Sequence, residues 1–72
     1  MTDMSEAIEV NGKRQPLSTP TLSGLLTEKG IDVNGLGVAV AVNGMVVPRA
    51  AWPRTPLRAG DAVEIVAAKQ GG

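Results

Sequence analysis

The 72-residue sequence predicts a small α+β domain in which one amphipathic helix covers one face of a mixed sheet of about five strands. Two Asn-Gly pairs, Asn11-Gly12 and Asn43-Gly44, each separate short apolar segments, which is the sequence signature of a two-residue hairpin. A leucine stripe at helical spacing lies between the two hairpins, and an alternating segment around Val63 predicts one further strand. The predicted order of elements is ββαβββ.

The first hairpin is predicted from the alternation Ile8-Glu9-Val10, which gives a short strand with one buried face. Asn11-Gly12 favours a type I′ turn, because both residues tolerate positive φ. The return segment from Lys13 to Leu17 contains two cations and Pro16, which suit an edge strand because charge and proline both discourage further pairing.

The helix is predicted from a stripe at positions i, i+3 and i+4, made of Leu22, Leu25 and Leu26. Either Thr21 or Thr19 can cap its N-terminus through a hydroxyl, and Gly30 marks its end. Gly24 lowers the intrinsic helix propensity. This short helix therefore needs a sheet to pack on.

The second hairpin contains the clearest strand, Val38 to Val42, in which valines face one way and alanines face the other. After Asn43-Gly44 the chain returns through Met45, Val46 and Val47 until Pro48 ends the ladder. Residues 49–60 are predicted to form a long loop with a short helical turn. A turn at Gly60-Asp61 then leads into the last strand, which ends after Ala67.

These elements can assemble with the N-terminal and C-terminal strands side by side at the centre of the sheet. This is the β-grasp arrangement of ubiquitin-like domains. We expect residues 1–5 to be a flexible extension, residues 6–67 to form the domain, and residues 68–72 to be a flexible tail ending in Gly-Gly.

The composition excludes several kinds of chemistry. The sequence has no cysteine and no histidine, so it offers no thiol nucleophile, no zinc-thiolate site, no imidazole base and no expected metal site. Seven basic and seven acidic side chains balance, which argues against a nucleic-acid partner. The longest aliphatic run, Val38 to Val42, is far too short for a membrane span, and the acidic N-terminus does not resemble a secretory signal. The sequence therefore predicts a cytoplasmic protein.

The feature that points to a function is the C-terminal pair Gly71-Gly72. At average glycine usage such an end arises by chance in roughly one chain in 200. Glycine has no Cβ, so an extended Gly-Gly segment can enter a slot where any side chain would clash. The terminal carboxylate is then a reactive group that needs no reactive side chain in this sequence.

The sequence resembles the ThiS family of sulfur carriers in thiazole (thiamine) biosynthesis. The resemblance extends from about residue 6 to the end of the sequence. It departs in a few extra N-terminal residues and in Gly24, where the family often has a charged residue. The segments that carry the resemblance are Ile8 to Gly12, Thr21 to Leu26, Val38 to Gly44, Val46 to Arg49, Trp52, Leu57, Gly60-Asp61, Val63 to Ile65 and Gln70 to Gly72.

The resemblance implies a carrier that is acted on by partner enzymes and is not itself an enzyme. A ubiquitin-activating-enzyme-like adenylyltransferase would use ATP to adenylate the carboxylate of Gly72, with Gln70 and Gly71 entering its active site. Sulfur from a cysteine desulfurase or another donor would then give a thiocarboxylate, which donates sulfur at thiazole synthase. No cofactor is expected to be bound by the carrier itself.

Three alternatives remain open at this point. The same chemistry serves the sulfur carrier of molybdopterin synthesis, although the segment Val46 to Arg49 followed by Trp52 favours the thiazole branch. A ubiquitin-like modifier would instead join Gly72 to lysines of target proteins. A β-grasp interaction module would neither carry sulfur nor be joined to other proteins through Gly72.

The sequence also offers candidate docking residues. Ala39 and Ala41 predict a flat apolar face opposite the helix, to which the neighbouring strands would add Ala7, Ala62 and Val66. Arg49, Arg54 and Arg58 lie in a loop without acidic residues and could meet an acidic partner, with solvated loop charge as an equal alternative. Trp52, the only aromatic residue, is either a partner anchor or a core residue, and the thin core favours the second interpretation.

Overall fold

The computed structural model describes residues 6–33 and 37–67, so the predictions for residues 1–5 and 68–72 lie outside the described residues. The predicted order of helix and strands is confirmed, and the helical turn predicted within residues 49–60 is a 3₁₀ helix between the last two strands. The elements are β1 (Ala7–Val10), β2 (Lys13–Pro16), α1 (Leu22–Glu28), β3 (Val38–Val42), β4 (Met45–Val46), the 3₁₀ helix (Arg49–Arg54) and β5 (Ala62–Ala67).

The five strands form one mixed sheet in the order β2-β1-β5-β3-β4, as the sequence predicted. Strands β1 and β5 pair in parallel, whereas all other neighbours are antiparallel. The last strand therefore lies at the centre of the sheet, between the first strands of the two hairpins, β1 and β3. The hairpin turns determine the pairs β1–β2 and β3–β4. The pair β1–β5, in contrast, joins segments from opposite ends of the sequence.

Both hairpin turns have the backbone conformation that their Asn-Gly sequences predict. Asn11 has φ 51° and Asn43 has φ 52°, and the glycine that follows each of them is also in the left-handed region. Two consecutive residues with positive φ match a type I′ turn, whose twist suits the twist of the strands. The two turns thereby fix the registers Val10↔Lys13 and Val42↔Met45.

Helix α1 begins after Thr21, which resolves the choice between the two predicted caps. The Thr21 hydroxyl accepts a hydrogen bond from the backbone N–H of Gly24 at 3.2 Å, and the Thr19 hydroxyl donates to the Thr21 carbonyl at 3.1 Å. A Cβ at Gly24 would lie 3.1 Å from the Thr19 Cβ. The close approach of Thr19 therefore gives a physical reason for a glycine at this position of a short helix.

The core lies between α1 and the sheet and is aliphatic except for one indole. Its members are Ile8, Val10, Leu22, Leu25, Leu26, Val40, Trp52, Leu57 and Val63. Trp52 is only 2% exposed, and its Nε1–H donates to the Val47 carbonyl at 2.9 Å. The interpretation of Trp52 as a core residue is confirmed.

The segment after β4 closes the helix side of the domain. The 3₁₀ helix packs against α1, and the following residues run beside the start of α1 through two backbone hydrogen bonds. Leu22 N–H donates to the Thr55 carbonyl at 2.9 Å, and Leu57 N–H donates to the Pro20 carbonyl at 3.0 Å. Within the described residues, none of the helices has the length and apolar character needed to cross a membrane.

Replacing Trp52 with phenylalanine should lower the free energy of unfolding by about 1–3 kcal/mol, because the Val47 carbonyl loses its donor and the core loses volume. Urea denaturation measures the change. Arg54→Ala is the control, because Arg54 is exposed in the same 3₁₀ helix and its loss should change stability by less than about 0.5 kcal/mol. Equal stabilities of the two variants would contradict a structural role for the indole.

Candidate functional site

The predicted reactive end of the sequence, Gln70, Gly71 and Gly72, lies outside the described residues. The structure does describe the strand that leads to it. Strand β5 reaches Ala67, which lies opposite Val38 at the beginning of β3. The C-terminal residues therefore continue from a central strand of the sheet.

Strand β5 is held by hydrogen bonds on both sides. Toward β1, Glu9 N–H donates to the Asp61 carbonyl and Asn11 N–H donates to the Val63 carbonyl, both at 2.9 Å. Toward β3, the pairing continues from Val42↔Val63 to Val38↔Ala67. Backbone pairing with β1 ends at Val63, whereas pairing with β3 continues to Ala67, so the end of β5 has a fixed position next to β3.

The outer face of the sheet, opposite α1, has an exposed apolar area beside the end of β5. Paired residues share a face, so Ala41 lies between Val46 and Glu64, and Ala39 lies beside Val66. Val46 is 76% exposed and Val66 is 65% exposed. We call Ala39, Ala41, Val46 and Val66 the outer patch.

The outer patch confirms that the alanines of β3 face away from the helix, but its composition differs from the predicted face. Ala7 is buried and thus cannot contribute to a docking surface. Val46 was not among the predicted docking residues and is the most exposed large apolar side chain in the described residues. The two-residue turn could have revealed it, because that turn places Val46 opposite Ala41.

Carboxylates border the outer patch on the side that faces β1. Glu64 shares the cross-strand row of Ala41 and Val46, and Glu9 is the β1 partner of Ala62 on the same face. Arg14 lies opposite Glu9 on the edge strand β2. A binding partner for this face would therefore combine an apolar surface with basic groups beside it.

The three candidate arginines do not join the outer patch. Arg49 lines a cleft with Ser23 and Val33 on the helix side of the sheet, and Arg54 ends the same 3₁₀ helix. Arg58 lies in the turn before β5, where its backbone N–H donates to the Asp61 carboxylate at 2.9 Å. Ala67 is six positions after Asp61, so the Asp61 end of β5, where the Arg58 backbone is bound, lies about 20 Å from Ala67 along the strand.

Comparison with known proteins identifies the family. The ThiS family model matches residues 4–72. The sulfur carrier protein ThiS of Thermus thermophilus is 43% identical over 63 residues, which cover 88% of this chain and 95% of that protein.

Solved structures agree with this match. The crystal structure of the thiamine biosynthesis protein ThiS from Geobacter metallireducens superposes with a TM-score of 0.73 at 30% identity, covering 92% of this chain and 99% of the other. An NMR solution structure of a thiamine biosynthesis protein from Geobacter metallireducens gives the same TM-score and identity, covering 92% of this chain and 87% of the other. The predicted β-grasp fold is confirmed, and the chain belongs to the ThiS family.

Proposed function

We propose that this protein is a sulfur carrier in thiamine thiazole biosynthesis and that the carboxyl group of Gly72 carries the sulfur. The observation that supports this most directly is that the family match extends through the sequence Gln70-Gly71-Gly72. The carrier is a protein substrate of its partner enzymes rather than a catalyst. This role fits a sequence that contains neither cysteine nor histidine.

The proposed reaction begins at a carboxylate, which is a poor electrophile. An adenylyltransferase related to ubiquitin-activating enzymes would join the Gly72 carboxylate to the α-phosphate of ATP and release pyrophosphate. A sulfur donor supplied by a cysteine desulfurase or another system would then displace AMP. Sulfide would give the thiocarboxylate directly, whereas a persulfide would give an acyl disulfide, from which a second thiol releases the thiocarboxylate and forms a disulfide with the donor. Thiazole synthase would accept the sulfur from the thiocarboxylate. All of these steps take place in the cytoplasm under this proposal, and the carrier itself binds no cofactor.

The geometry of β5 limits where the partner's active site can lie. Ala67 is fixed by its pairing with Val38, and five residues follow it up to Gly72. Five extended residues span at most about 18 Å. The reactive carboxyl group therefore meets its partner within that distance of the end of β5.

The outer patch is the proposed docking surface for the adenylyltransferase or thiazole synthase. Val66 belongs to the patch and is the residue just before Ala67, at which β5 ends. A partner that covers the patch is thus already close to the residues that lead to Gly72. Alanines in place of polar side chains let the partner approach the β3 backbone closely.

Deletion of Gly72 tests the carrier chemistry. Incubation of the intact protein with the adenylyltransferase, ATP and a sulfur donor should raise its mass by one exchange of oxygen for sulfur, measured by intact-mass spectrometry. The shortened protein should show no gain, because Gly71 would place the carboxyl group one residue short of the reacting phosphate.

The intact protein without ATP is the control for this experiment. Sulfur transfer that survives the deletion would contradict the proposal. Covalent conjugates with other proteins in extracts of the source cells would favour a ubiquitin-like modifier, and a functional link to molybdopterin would favour the other carrier branch.

Replacing Ala41 with glutamate tests the docking surface. A buried carboxylate beside Glu64 is costly in an apolar interface, so the KM of the adenylyltransferase for the carrier should rise roughly tenfold or more, equivalent to about 1.4 kcal/mol. Steady-state pyrophosphate release measures the change. The kcat at saturating carrier should change less.

Ala59→Glu is the matched control, because it introduces the same charge at an exposed alanine in the turn before β5. Circular dichroism and thermal melting should show that both variants fold. If Ala41→Glu and Ala59→Glu have the same KM, the partner does not dock on the outer patch.

A further inference from the structure

The two turn asparagines direct their carboxamides to the same strand, β5. The Asn11 Oδ1 accepts a hydrogen bond from Ile65 N–H at 2.8 Å, and the Asn11 Nδ2 donates to the Ile65 carbonyl at 3.2 Å. The Asn43 Oδ1 accepts from Ala62 N–H at 2.9 Å, and its Nδ2 donates to an Asp61 carboxylate oxygen at 3.0 Å. Each turn thus contributes a side chain to the hydrogen bonding of the central strand.

The Asn11 carboxamide extends the sheet beyond the end of β1. The β1 and β5 pairing contains Glu9↔Ala62 and Val10↔Val63, after which the chain turns away into β2. The N–H and C=O of Ile65 point toward this side of β5, where β1 has ended. A carboxamide offers one donor and one acceptor, as a peptide group does, and so supplies the next rung of the ladder.

The two asparagines act on different halves of β5. Asn43 binds at Asp61 and Ala62, where the strand begins, whereas Asn11 binds at Ile65, about 10 Å farther along. The chain continues from the Asn11 end toward Gly72. Of the two interactions, only that of Asn11 therefore lies toward the end of β5 that continues to Gly72.

The backbone conformation at Asn11 does not by itself require asparagine. Its φ of 51° lies in the left-handed region, which glycine adopts as readily. Glycine would preserve the type I′ turn and remove only the carboxamide. Aspartate would keep an acceptor for Ile65 N–H but would place a carboxylate oxygen against the Ile65 carbonyl.

We propose that Asn11 is a positioning residue for the carrier reaction. Its carboxamide holds the C-terminal half of β5 on the β1 side and so fixes the point from which the chain runs to Gly72. Without these bonds, residues from Ile65 onward are held from the β3 side alone and can separate from the sheet. The segment that must find the partner's active site then becomes longer, and the effective concentration of the carboxyl group there falls.

This proposal rests on the proposed function, and it predicts a specific kinetic signature. In Asn11→Gly the outer patch is unchanged, so the KM for the carrier should stay within about twofold. The kcat of adenylation should fall about twofold, because the segment that ends at Gly72 would lengthen from five residues to eight and effective concentration decreases with roughly the −3/2 power of segment length. The kcat of Asn11→Asp should lie between those of the wild type and Asn11→Gly, since aspartate retains one of the two hydrogen bonds.

The test combines amide hydrogen exchange with adenylation kinetics on the full chain, with Asn43→Gly as the matched control. Asn11→Gly should speed exchange at Ile65 roughly tenfold or more and leave Ala62 unchanged, whereas Asn43→Gly should do the reverse. Of these two glycine variants, only Asn11→Gly should lower kcat. Asn11→Asp provides the same measurements if the glycine variant does not fold.

The possible failures are distinct. If the wild-type protein is not adenylated at Gly72, the proposed function is wrong. If it is adenylated but Asn11→Gly has the wild-type kcat, or if Ile65 exchange is unchanged, the positioning role is overturned. An equal loss of kcat in Asn43→Gly would also overturn it, because the effect would then follow general stability.

Discussion

The parallel pairing of β1 with β5 is the constraint on which the rest of the structure depends. It joins the two ends of the domain at the centre of the sheet and sets the register Val10↔Val63. That register places Val63 with Ile8 and Val10 in the core and turns Glu64 and Val66 outward. Because side chains alternate along a strand, a shift of one residue would exchange the buried and the exposed faces.

The two faces of the sheet then serve different purposes. On the inner face, α1 and the 3₁₀ helix cover the valines, and Trp52 provides bulk that an aliphatic core of this size otherwise lacks. On the outer face, the small side chains and the exposed Val46 and Val66 form an accessible apolar surface. Stability is thus concentrated on the helix side, which leaves the opposite side available for recognition.

This division suits a carrier whose reactive group is a main-chain carboxylate. Such a protein needs a recognisable surface, a fixed origin for the reactive end, and a defined distance between the two. Under the proposed function, the outer patch would be that surface, β5 would be the origin, and the five residues after Ala67 would limit the distance. The side chains of the carrier supply position, and the partner enzymes of the proposed function supply the chemistry.

The sequence alone determined the features that arise from neighbouring residues. Positive φ at the Asn-Gly pairs, the leucine stripe of α1 and the alternation in β3 are local, so the order of elements and the β-grasp fold followed from them. Tertiary structure decided what depends on distant contacts: the burial of Ala7, the separation of the arginines from the outer patch, and the bonds between Asn11 and Ile65. Those two residues are 54 positions apart, and only the sheet register, set by burial of the whole core, brings them together.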